Sequence, residues 1–162
     1  MQLRIGIIIF TIATFFSCAK QESTNVLSSP GFGIIETSVT TSVAGVDLPV
    51  YLKSDDIIRG IQFTLHWDET VGQVIKPELT EANPGFTVSA GEASGGQMKV
   101  LIFSMSGDDL VVGDNAFLTI PIRIIDTEAS AFKITFKDPI FAGPKASSYS
   151  IPVSHANLKI SK

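Results

Sequence analysis

Apolar residues recur at every second position through most of this chain, and that period constrains it to strands. Side chains two apart share a face of a strand, whereas a helix needs a period of 3.6. Val46, Leu48, Val50 and Leu52 alternate with Asp47, Pro49, Tyr51 and Lys53. Ile61, Phe63, Leu65 and Trp67 alternate with Gly60, Gln62, Thr64 and His66, and Leu118, Ile120, Ile122 and Ile124 with Thr119, Pro121 and Arg123. Phe132, Ile134 and Phe136 alternate with Lys133, Thr135 and Lys137. The pattern gives nine short runs, at 33–41, 46–53, 57–67, 71–76, 85–90, 97–104, 115–125, 131–137 and 149–160. Turn residues separate them, among them Asn83-Pro84-Gly85, Gly91 to Gly96 and Gly113-Asp114-Asn115. No helical stretch and no internal repeat interrupts the series. Strands with one wet face predict an all-β, nine-stranded antiparallel β-sandwich.

Three details refine this picture. Pro49 and Pro121 fall inside runs, which predicts edge positions or bulges, because proline has no N–H for the ladder. In the last run the phase breaks, with Ile151 and Val153 odd but Leu158 and Ile160 even, so a bulge or kink is expected near His155-Ala156-Asn157. In the sixth run both faces are apolar: Met98, Val100 and Ile102 on one, Leu101 and Phe103 beside Lys99 on the other. Lys99 is the residue hardest to bury, so its face is predicted to point outward, where it is either covered by a loop or binds something.

The first seventeen residues are of another kind. Ile5 to Phe16 carries no charge, which is too short for a span of roughly 20 residues and fits an export-signal core of about 7–15. Phe15-Phe16-Ser17-Cys18 resembles the bacterial lipobox, with Phe15 where Leu is usual and Ser17 in the small-residue place. The resemblance implies cleavage before Cys18 and its lipidation, hence durable anchoring. Lys20-Gln21-Glu22 resembles the charged signals that follow such cysteines in Bacteroidetes, and implies a place on the outer membrane or cell surface. The expected organisation is a signal peptide at 1–17, a lipidated Cys18 with a flexible tether at 18–32, and one domain at 33–162.

The domain resembles the cohesin family. Residues Ile57 to Asp68 are similar to the cohesin strand with a central Gly that ends in aromatic-Asp, and Val46 to Leu52 to the preceding V-x-V-P-V-x-L strand. Gly96 to Ser104 and Gly113 to Ile124 resemble two further strands with their Gly turns, and Ala156 to Ile160 the closing strand, with Leu158 where Gly is usual. The resemblance implies a nine-stranded jelly-roll sandwich, a fold shared with carbohydrate-binding modules. It also implies a dockerin module of a polysaccharide-degrading enzyme as partner, bound on the outer face of the third, fifth, sixth and eighth strands. By strand phase that face would carry Gln62, Thr64 and His66, then Thr87 and Ser89, then Lys99, Leu101 and Phe103, then Lys133, Thr135 and Lys137.

Other functions find little support. The formal net charge of −4 argues against a nucleic-acid surface. No Gly-x-Ser-x-Gly elbow, His-Glu-x-x-His or phosphate loop is present, so no enzyme is expected. His66 and Asp68 share a strand face with no nucleophile tied to them, and His155 reads as a surface side chain. Asp108, Asp109 and Asp114 offer oxygen ligands, but without EF-hand spacing, so neither metal nor cofactor is expected. Direct binding of a polysaccharide stays open as an alternative, with Tyr51, Tyr149 and Phe141 as candidate platforms and Trp67 at the core or its rim. So does a structural role in an envelope or adhesion complex.

Overall fold

A computed structural model describes residues 30–35, 38–40 and 45–161. The expected signal segment, Cys18 and the expected tether as far as residue 29 lie outside the described residues. Among the described residues thirteen strands follow in chain order: β1 (Gly31–Gly33), β2 (Ser38–Thr40), β3 (Val46–Lys53), β4 (Gly60–Trp67), β5 (Gly72–Val74), β6 (Glu78–Leu79), β7 (Phe86–Ala90), β8 (Gln97–Ser104), β9 (Leu118–Ile124), β10 (Ala131–Ala142), β11 (Ser148–Tyr149), β12 (Val153–Ser154) and β13 (Ala156–Ser161). They form two sheets. One runs β12-β1-β3-β9-β5, with β6 also on β9; the other runs β2-β13-β10-β4-β8-β7, with β11 also on β10.

This is the expected sandwich, built from more pieces than nine. The first and last runs each divide between the sheets. β1 lies in the first sheet and β2 in the second, and β12 and β13 part in the same way. The phase break near His155 is therefore a crossing between sheets: Leu158 is buried while Ile151, on the other side of the crossing, is buried too. The two terminal runs lie side by side in the same direction, so β1–β12 and β2–β13 are parallel pairs in an otherwise antiparallel fold. The crossing is tied down by His155, which the sequence reads as a surface side chain. The Phe136 amide donates to His155 Nδ1 at 3.2 Å. Gly33 lies at φ +143, and a Cβ there would sit 2.0 Å from the Ser154 carbonyl oxygen, so β1 and β12 approach this closely only with glycine at 33.

The prolines are not on edge strands. Pro49 lies beyond the reach of β1, which pairs only with Tyr51–Lys53. Pro121 falls between the residues of β9 that pair with β5 and those that pair with β6. Each occupies a local gap in an interior strand, where the missing N–H costs no ladder bond.

Alternation fills the space between the sheets. Leu48, Val50, Leu52, Ile61, Phe63, Leu65, Val100, Ile102, Leu118, Ile120, Phe132, Ile134 and Leu158 are buried. At the centre stands Phe32, which precedes the expected domain start at Gly33. Its ring centroid is 4.8 Å from Phe136, 5.3 Å from Phe141 and 5.4 Å from Phe63. The domain boundary therefore moves back from Gly33 to the start of β1. The sequence placed Phe32 in the tether because one aromatic after a Pro-Gly pair shows no period.

Candidate partner-binding face

The order β10-β4-β8-β7 puts the eighth, third, sixth and fifth predicted strands side by side, and register fixes which residues share their outer face. Thr64 pairs with Lys99 on one side and Lys137 on the other; His66 pairs with Gln97 and Thr135. Thr87 pairs with Phe103, and Ser89 with Leu101. Paired residues in a ladder project to the same side, so Gln62, Thr64, His66, Thr87, Ser89, Lys99, Leu101, Phe103, Lys133, Thr135 and Lys137 all stand on one surface. Lys99, Lys133, Lys137, Thr87 and Ser89 are exposed, while Gln62, Thr64, His66, Thr135 and Phe103 are half-buried. Leu101 is 40% exposed. Met98, Val100 and Ile102 are buried, as the placing of Lys99 required.

The sequence does not reveal two further members of this surface, Ile140 and Ala142. β10 runs on to Ala142 through a bulge, where the register slips between Lys137 and Ile140. Asp138, in the bulge, has φ 48. One extra residue inverts the phase. Even residues of β10 face inward before it and outward after it. Phe141 is thus buried in the core, not a loop platform for a sugar, and Ile140 is 49% exposed on the outer face. Ile140 and Leu101 flank Gln62, and Ala142 and Phe103 flank Gly60. Together they line a shallow depression of about 350 Å³, with Arg59 at its edge. A signal for this existed: Phe136 and Phe141 are five apart, an odd spacing that one uninterrupted strand cannot bury twice, and Asp138-Pro139 stands between them.

The remaining polar candidates are engaged locally. Asp68 accepts from the Thr70 amide at 2.9 Å and from Thr70 Oγ1 at 2.6 Å, and these bonds hold its carboxyl below the usual 3.8. Asp68 thus serves its own turn and does not orient His66. Asp108 accepts from the hydroxyls of Ser106 and Ser104, which lower its carboxyl likewise, with Arg59 adding to the effect. Asp109 pairs with Arg59 Nε at 2.7 Å and Asp114 with Lys53 at 3.4 Å. Among the described residues, no three His, Cys, Asp or Glu side chains gather closely enough to hold a metal ion. Asn83 is buried; its Oδ1 accepts from the Val111 amide at 2.7 Å, which ties the turn before β7 to the loop before β9. Tyr51 is on the opposite sheet, Tyr149 Oη lies 3.2 Å from Ser147 Oγ, and Trp67 packs against the core. These aromatics form no common outward face: Tyr149 and Trp67 pair with the buried Phe141 and Ile134, and Tyr51 lies on the other sheet.

Comparison with solved structures decides the fold. The sixth cohesin of scaffoldin B from Acetivibrio cellulolyticus, solved with a Cel5 dockerin variant, superposes with a TM-score of 0.65 at 20% identity, covering 81% of this chain and 98% of that one. The domain has the cohesin fold. A non-cellulosomal cohesin from the archaeon Archaeoglobus fulgidus gives a TM-score of 0.66 at 15% identity, over 82% of this chain and 91% of that one. A type I cohesin of Clostridium thermocellum, solved as a cohesin–dockerin complex, gives 0.63 at 17% identity over 83% and 96%. No family model matches the sequence, and no curated protein matches it significantly. The likeness to cohesins is therefore one of backbone fold.

Proposed function

We propose that this chain is a non-catalytic binding lipoprotein of the cell surface, whose cohesin-fold domain captures a dockerin-type module of a polysaccharide-degrading enzyme. The observation that carries this reading is the face of β10, β4, β8 and β7: Leu101, Phe103 and Ile140 form an apolar centre inside a polar rim, the usual anatomy of a protein-binding patch. Solved relatives of the fold hold dockerins, which supports the choice of partner. Anchoring through Cys18 is supported by the apolar segment that ends there.

The test is capture of dockerin modules by the purified chain, with polysaccharides run in parallel. Leu101→Ser combined with Ile140→Ser changes two side chains that already meet solvent, so folding should be kept while capture weakens about 100-fold or more. A double variant that folds and binds as the parent does places the binding surface elsewhere. Binding of polysaccharide without any dockerin overturns the reading. Cys18→Ser should release the chain from the membrane fraction; if it matures normally and remains there, the anchor is not this cysteine.

A further inference from the structure

The same face also specifies its partner, and this inference rests on the reading just given. Although the chain carries a net charge of −4, the outward strand positions of the second sheet carry exposed Lys99, Lys133, Lys137 and Lys159. Among the described residues, two carboxylates border that surface: Asp138, in the bulge, and Glu92, which lines a depression with Thr64 and Lys99. Acidic residues sit instead at strand ends and turns: Asp55, Asp56, Glu69, Asp108, Asp109, Asp126.

The lysines and the apolar depression have a fixed relation. Lys99 and Lys137 bracket Thr64 in one row of the sheet. Gly60 is four residues along the same strand, so its row is roughly 13 Å away. There the backbone lies bare between Phe103 and Ala142. A Cβ at Gly60 would meet the Ile102 carbonyl oxygen at 3.4 Å and the Ala142 Cβ at 3.8 Å, ordinary contacts. The missing side chain is therefore not required by packing; it leaves a notch.

We infer that this face selects an acidic partner module, one that seats an apolar side chain over Gly60, between Phe103 and Ala142, and sets carboxylates over Lys99 and Lys137. Charge complementarity of this kind governs partner choice and association rate. A second copy docked face to face would oppose lysine to lysine and is disfavoured.

The experiment compares two sets of dockerin modules, one with acidic and one with basic surfaces, for binding to the purified chain at low and high salt. Vesicles containing phosphatidylglycerol serve as a further probe. The acidic set should bind, and weaken about tenfold or more on raising the salt. Lys99→Glu with Lys137→Glu should reproduce that loss and admit basic dockerins. Gly60→Val should leave the melting temperature at or above the parent's and abolish binding by filling the notch. If both sets bind equally, with no response to salt or to charge reversal, the inference is wrong and the dockerin reading survives. If neither set binds, the dockerin reading fails and this inference with it. Vesicle binding that charge reversal removes and Gly60→Val does not touch would assign the lysines to a membrane surface and overturn the inference.

Discussion

Asp68 and Asp108 show how single side chains hold the turns that frame the sheets. Each carboxylate accepts hydroxyl bonds from its own turn, and each is thereby stabilised in its charged form. The sign of the linked pH effect follows. A carboxyl with its folded value below the ordinary 3.8 adds stability above that value, and the contribution disappears as pH falls through the depressed folded value. Both groups are solvent-exposed, so the effect is modest. Thermal melts from neutral to strongly acid solution should show the Asp68→Asn, Asp108→Asn variant less stable than the parent at neutral pH, with the gap closing below the ordinary value. A gap that persists unchanged in acid would mean that these bonds do not depend on the carboxylate charge. Neither role could be read from the sequence. Acidic turns all look alike until a particular hydroxyl is seen to be in reach.

Strands were legible where their period ran unbroken. β3, β4, β8 and β9 fall within or match their predicted runs because each buries one face and wets the other. What the period cannot show is an interruption to itself, and β10 carries the one that matters. Its burial alternates up to Phe136 and resumes in the opposite phase at Phe141. The phase of Lys133, Thr135 and Lys137 before the bulge is therefore legible in the sequence, whereas Ile140 and Ala142 lie beyond the predicted run. Deleting Asp138 tests the bulge directly. The shorter strand must choose between pairing in register and keeping Phe141 inside. Expelling that ring should cost about 3–5 kcal/mol, read as a fall in the denaturation midpoint. A deletion that leaves stability unchanged would show that the extra residue is merely looped out and does not set the phase.

The whole domain is organised around a residue that its sequence seemed to leave outside. Phe32 enters from β1 of one sheet and meets Phe63, Phe136 and Phe141 of the other. Truncating its side chain in Phe32→Ala should cost about 3–5 kcal/mol. A chain beginning at Gly33 should melt far below one beginning at Pro30. Equal melting of the two would return Phe32 to the tether. The pairing of the first and last runs carries a consequence in time. Among the described residues β2 finds its neighbour only in β13, and β1 bridges β3 to β12. During synthesis the earliest strands wait for the latest, across nearly the full length of the domain, and such distant closures are slow. Until Ala156 to Ser161 has been made, β10 has one unclosed flank along Ala131–Ile134 and the sandwich has no seam. A domain that cannot lock before its last strand is made remains threadable throughout its making, as the cell-surface location proposed above would require.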